Sequence, residues 1–262
     1  MRLAGLILAA ALAAGPAAAQ TAADHIAMAR SAAEARDPAT ALQHYQAAIA
    51  LDSNNYEANW RGAIALIDMG KQIPDSIKSP HRDSLYAEAE RWARRAVAAD
   101  SMGADGHFAL ADAVGRASLT KSTKERIKRA TEIRNEALRA IELNPQHDGA
   151  YHILGRWNAE IMRLSGLSRF FAKSFLGAGI FNEASWDRAI SNMEKAVELN
   201  PARIYHHLDL AEVYIDRDRY SDARAQLEQV AGLPVADVMD PVYKEQGAAL
   251  LRKIEGKKDK GN

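Results

Sequence analysis

Apolar and small side chains along this chain recur three and four residues apart, in paired stretches joined by short polar turns. The clearest pair runs from Arg203 to Pro234, RIYHHLDLAEVYIDRDRYSDARAQLEQVAGLP. Leu210, Ala211 and Tyr214 share one stripe of a first helix, and Asp216 to Arg219 supply a turn. Ala223, Leu227 and Val230 share one stripe of a second helix, which Pro234 closes. DGAYHILGRWNAEI, from Asp148, puts Tyr151, Leu154, Gly155 and Asn158 at the matching first-helix positions. Second-helix ends recur in AIALDSNN (48–55), AIELNP (140–145) and AVELNP (196–201), with AVAADS (96–101) a weaker copy. The pattern predicts an all-α chain of about five helical hairpins, whose second helices end near Asp52, Asp100, Asn144, Asn200 and Leu233. A last helix over 240–254, with Asp240 as N-cap and Pro241 in its first turn, caps the stack. The polar end EGKKDKGN (255–262) reads as a disordered tail.

Two antiparallel helices per unit of roughly 34 residues, with small residues where they cross, resemble tetratricopeptide (TPR) repeats, which stack into an α-solenoid. A small side chain at the crossing lets the two axes approach. Ala211 and Ala223 lie 12 apart, as do Ala29 and Ala41, which is the ordinary spacing. The middle three hairpins are longer, at 26 for Ala63 to Ala89, 22 for Ala111 to Ile133 and 34 for Gly155 to Ala189. All three insertions fall at the same turn of the repeat, hence along one edge of the stack.

The insertions differ in chemistry. The first, KQIPDSIKSPHRDSLY (71–86), holds two prolines and reads as an irregular loop. The second, 118–137, reads as a longer helix with a basic face, either a solvated face or a dock for an acidic partner. The third contains LSRFFAKSFLGAGIF (167–181), with four of the five phenylalanines. If the chain is helical from Arg163, then Leu164, Leu167, Phe170, Phe171 and Phe175 form one stripe, and Gly177 and Gly179 stop it. Ser185 is a plausible N-cap for the helix that follows. Three readings of the stripe stand open: packed core, a partner groove, or an interfacial membrane contact.

First helices of TPR-like hairpins line a concave groove that suits extended peptides or helices. Counted from the crossing residues, the groove-facing set is Trp60, Arg61, Ile64, Phe108, Asp112, His152, Arg156, Tyr205, Asp209 and Glu212. Arg61 and Arg156 suit a carboxylate, and Asp209 and Glu212 suit a basic side chain. The alternative is that these charges pair with one another.

Composition adds a compartment. MRLAGLILAAALAAGPAAAQ has a basic Arg2, an apolar run Leu3–Ala14 too short to span a bilayer, and small residues up to Ala19. It reads as a signal peptide (1–19) before a helical domain (20–254). With no cysteine, disulfides, thiolate chemistry and a lipid anchor on cysteine are excluded. Together these point to export into a bacterial periplasm. Lys plus Arg (34) balance Asp plus Glu (34), so no global charge favours nucleic acid. No phosphate loop, nucleophile elbow or zinc helix occurs, so no enzyme, cofactor or metal site is expected. His206 and His207 diverge on a helix, and His147 and His152 have poor ligand spacing, so structural or surface roles suit the histidines better.

The segments YHILGRWNAEIMRLSGLSRFFAKSFLG, ASWDRAISNMEKAVELNP and HHLDLAEVYIDRDRYSDARAQLEQVAGLP resemble the regulator of microtubule dynamics family. The resemblance covers about 104–254, and LGRW (154–157) followed by a long aromatic and basic insert is its most specific part. It implies a TPR-like helical domain that acts through interaction rather than catalysis. It also implies that the aromatic insert belongs to the architecture. The expected function is an exported scaffold that binds a protein or peptide in its groove. The alternative is a peripheral membrane adaptor using 164–181.

Overall fold

The computed structural model describes residues 20–164 and 179–259. Among them are eleven α-helices and no strand. Five hairpins follow in order: α1 (Ala22–Glu34) with α2 (Pro38–Leu51), α3 (Tyr56–Lys71) with α4 (Pro80–Ala99), α5 (Ala104–Ala117) with α6 (Thr123–Leu143), α7 (Asp148–Arg163) with α8 (Trp186–Leu199), and α9 (Ile204–Asp216) with α10 (Tyr220–Gly232). A final helix, α11 (Asp240–Lys253), packs on α9 and α10 and caps the stack.

The second helices end where the repeated motif places them. Asp52, Asp100, Asn144 and Asn200 each follow the last helical residue, and each backbone N–H closes on the alanine four back. At three of these ends the side chain accepts from the N–H two residues on, at Asn54, Met102 and Gln146. That Asx turn aims the chain into the next first helix.

Crossings are made by small residues. Ala29, Ala41, Ala63, Ala89, Ala111, Ala189, Ala211 and Ala223 are all fully buried. A Cβ on Gly155 would lie 2.4 Å from Met193 Cγ and 3.2 Å from the Ala189 carbonyl, so α7 and α8 touch through glycine. In the third hairpin Ile133 is half-buried, and Ala137 one turn on joins Ala111 and Leu154 in a small cluster. The two standard-length hairpins both turn through a left-handed residue, Arg36 (φ 62°) and Asp218 (φ 55°), each seven residues after the crossing alanine.

The insertions resolve unequally. Only 72–79 of the first is irregular. Ser79 caps α4 and Pro80 sits in its first turn, so the rest lengthens that helix instead of forming loop. The second is a helix as expected, opened by a Ser122/Glu125 capping box. Much of its basic face is used internally. Arg129 pairs with Glu90 and Glu132 with Arg94, both at 2.7 Å, and Arg134 pairs with Glu183. Lys121, Lys124, Arg126 and Lys128 are exposed.

In the third insertion α7 stops at Arg163, and Leu164 adopts an extended conformation (ψ 139°), so a helix does not run on from Arg163. Leu167, Phe170, Phe171 and Phe175 lie outside the described residues. Phe181 is buried and stacks on Trp157, with ring centroids 6.1 Å apart and planes 9° apart. Ser185 caps α8 by accepting from the Arg188 N–H.

Two expectations at the C-terminus change. Asp240 is the first residue of α11 rather than its cap, and its buried carboxylate accepts from the N–H groups of Ala236 (2.8 Å) and Asp237 (2.7 Å). Residues 255–259, expected to begin a disordered tail, lie against α10. Asp259 accepts from the Ser221 N–H and the Lys257 carbonyl accepts from Arg224.

Candidate functional site: the face of the first helices

Helices α1, α3, α5, α7 and α9 lie side by side, each touching the next. Ion pairs step along them. Arg30 of α1 pairs with Glu57 of α3, and Lys71 of α3 lies 3.9 Å from Asp112 of α5. Arg156 and Arg163 of α7 reach Asp209 (3.0 Å) and Asp216 (2.7 Å) of α9. These residue types recur there because positions four apart on a helix share a face, and the first helices present that face in register.

The expected groove residues fall into two groups. His152, Arg156, Tyr205, Asp209 and Glu212 come together on α7 and α9. The Asp209 carboxylate takes both Arg156 and His152 Nε2 (3.1 Å), and Tyr205 meets the His152 ring edge-on with centroids 4.8 Å apart. Trp60 and Arg61 sit at the other end of the stack. The Arg61 guanidinium lies 4.3 Å over the Trp60 ring, and its Nε donates to Glu57 at 2.6 Å. Asp112 lies between the groups, with Arg116 Nε 3.6 Å away. Phe108 joins neither: its ring packs on His147 and fills the space beside Gly149, so it serves contact between repeats. The charges are thus paired along the wall, and a partner must compete with those pairs or add to them.

Electrostatics separate the carboxylates. Burial pushes Asp209 up, but Arg156 and the His152 hydrogen bond outweigh it and hold the group below the usual carboxylate range. Burial and the neighbouring Asp209 charge push Glu212 up to about 7, against the pull of Arg156 and Arg163. Asp68 is pushed up to about 6 by burial, with Lys71 opposing and Asp237 and Asp112 adding.

Several residues of this face had no part in the expected set. Asp68 and Lys71 continue the stripe of Ile64 by four and seven residues and Arg116 that of Asp112 by four, and extending the helical period would have found them. His206 had no such signal. It sits between Asp148 Oδ2 (3.0 Å from Nε2) and His152 Nδ1 (3.1 Å from its own Nδ1), linking residues 54 and 58 apart in the chain. Burial pushes it down to about 4 against the pull of Asp148, so at neutral pH the ring is uncharged and donates through Nε2 to the Asp148 carboxylate.

Nor did any pattern signal the last segment of the wall. Between α10 and α11 the chain runs without helix through 233–238. Arg36 Nη1, at the α1–α2 turn, donates to the Val235 carbonyl at 2.8 Å across 199 residues of sequence. Residues 236–238 line a cavity of about 120 Å³ together with Tyr45, Trp60, Ile64 and Asp68. The first hairpin therefore meets the linker that follows the last one.

Known proteins share this architecture. A thermophilic TPR protein of Thermus thermophilus superposes with a TM-score of 0.60, at 17% identity, over 88% of this chain and 100% of that one. PilF of Pseudomonas aeruginosa superposes at 0.51, with 14% identity, over 89% of this chain and 91% of its own. At these identities the likeness shows the fold alone. In sequence, the chain is 23% identical over 207 residues to regulator of microtubule dynamics protein 1 of Bos taurus. It is 24% identical over 180 residues to protein 3 of Rattus norvegicus. These matches cover 79% and 67% of this chain but 64% and 36% of the relatives, so the chain spans less than two thirds of their length. The sequence model described as "Regulator of microtubule dynamics protein 1-3" matches residues 22–255, a span that takes in every helix described above, and the chain belongs to that family.

Proposed function

We propose that this chain is an exported, non-catalytic TPR-like scaffold that holds a protein or peptide partner on the face of its first helices. The observation that carries this reading is the wall itself. Five first helices lie side by side with charged side chains paired along them, with Trp60 and Arg61 at one end and Tyr205, Asp209 and Glu212 at the other. A charged wall with an aromatic ring near each end suits an extended peptide, which offers backbone polar groups throughout and side chains at intervals. The signal-like residues 1–19 support export, and the family supports an interaction role. The relatives' names concern microtubule dynamics, and an exported chain would meet no microtubules, so the family's mode of action is taken over but not that target.

The test is photocrosslinking in cells, with the probe placed at Arg61 on the wall or at Leu138, which is exposed on a second helix. Adducts with a discrete partner are expected from Arg61 and not from Leu138. Equal adducts from both positions, or none from Arg61, would overturn the reading. The mass of the mature protein checks export separately: a chain retaining residues 1–19 removes it.

A further inference from the structure

The stretch Leu233–Met239 lies where a partner would. It joins the last hairpin to the cap, and it crosses to the first hairpin instead of staying with its neighbours. Two features hold it in shape. Buried Asp240 takes the N–H groups of residues 236 and 237 from one side, and Arg36 donates to the Val235 carbonyl from the other. A guanidinium grasping a backbone carbonyl is how a groove holds an extended peptide whatever its side chains. Beneath the stretch, Tyr45, Trp60 and Ile64 give an apolar floor, and the remaining cavity of about 120 Å³ leaves it incompletely filled.

We propose that the floor formed by Arg36, Tyr45, Trp60, Ile64 and Asp68 is a peptide subsite, occupied in the free protein by the chain's own 234–238. The partner is an extended peptide that presents small apolar residues to that floor and no acid to Asp68. This rests on the scaffold reading above and specifies one end of the same wall.

Charge complementarity decides the partner's chemistry. The strap brings Asp237 into the cavity that Asp68 also lines, a like-charge approach only partly met by Arg203 at 4.0 Å from Asp237. Asp68 feels that charge directly. Tethering compensates for the mismatch, because a short linker holds its segment at an effective concentration on the order of millimolar. An untethered peptide without the acid fits better residue for residue but must overcome the tether. The strap thus sets a threshold for partner binding.

The experiment uses the mature full chain and a fluorescein-labelled peptide LPVADVM, corresponding to 233–239, read by anisotropy. Replacing 235–238 with Gly-Ser-Gly-Ser frees the subsite, and the peptide should bind about tenfold tighter or better than to the parent chain. A peptide with Asn in place of the Asp should bind tighter still. Adding Arg36→Ala to the strap variant should lower affinity again. Because the Gly-Ser variant can fail to fold, Asp237→Asn in the otherwise intact chain gives an independent reading. It removes the like charge from the strap, so trans peptide should bind more weakly than to the parent. Equal binding by parent and both variants would overturn the proposal, as would a folded strap variant that binds no peptide at millimolar concentration. If peptide fails while Arg61 still captures a partner in cells, the strap inference falls and the scaffold reading stands. If both fail, both fall.

Discussion

Asn59, His107 and His207 occupy the same position in three of the first helices, and each hydrogen-bonds the carbonyl six residues before it, at Ser53, Ser101 and Pro201. Asn and His are unlike in sequence yet equivalent here, because each reaches a donor nitrogen back over the first turn. The bond fixes the angle at which one repeat enters the next. His107 also meets the Glu136 carboxylate through Nδ1 at 2.6 Å, so we predict that His107→Ala loses about 1–3 kcal/mol in urea unfolding and that His107→Asn recovers the part due to the Ser101 carbonyl. The structural role expected of the histidines holds at these positions. The His152–His206 contact was not legible in the sequence, since nothing in the local pattern pairs residues 54 apart. Glu212 gives a second prediction, on pH. Its folded-state pKa is raised to about 7, so its favourable contribution is complete below about pH 4.3 and is lost as pH rises through 7. Glu212→Gln should therefore raise the melting temperature at pH 8 relative to the parent and leave it little changed at pH 4. A gain at pH 4 as large as at pH 8 would count against it.

Helix by helix, small residues decide how closely the repeats pack. Gly155→Ala pushes a Cβ into Met193 Cγ and against the backbone of α8, where only the side chain can yield. We predict a loss of about 1–3 kcal/mol, measured by urea unfolding, as for overpacking elsewhere. Removal of Trp157 should cost more. Its Nε1 donates to the Ala130 carbonyl at 2.7 Å and its ring stacks on Phe181, so Trp157→Ala loses about 3–5 kcal/mol, read by the same measurement. That stack also settles one part of the aromatic insert: its last phenylalanine is core. The first insert departs from expectation because its two prolines have different roles. Pro74 lies in the irregular stretch, whereas Pro80 stands at the start of a helix, where its missing N–H costs nothing.

Across the whole molecule, the contact between Arg36 and Val235 brings the ends of the stack together. We predict that Arg36→Ala speeds amide hydrogen exchange at 235–238 while leaving α3, α5 and α7 protected, a local opening rather than unfolding. Exchange that rises uniformly would show that the contact supports the core instead. The sequence alone determined the helical class, the five hairpins and the ends of their second helices to within a residue. Those follow from helical periodicity and capping, which act over a few residues. Tertiary structure alone decided which wall charges pair, that Phe108 serves packing, and that the 233–239 stretch closes on Arg36. Each depends on how small rotations between neighbouring hairpins accumulate around the stack, and no local pattern carries that sum.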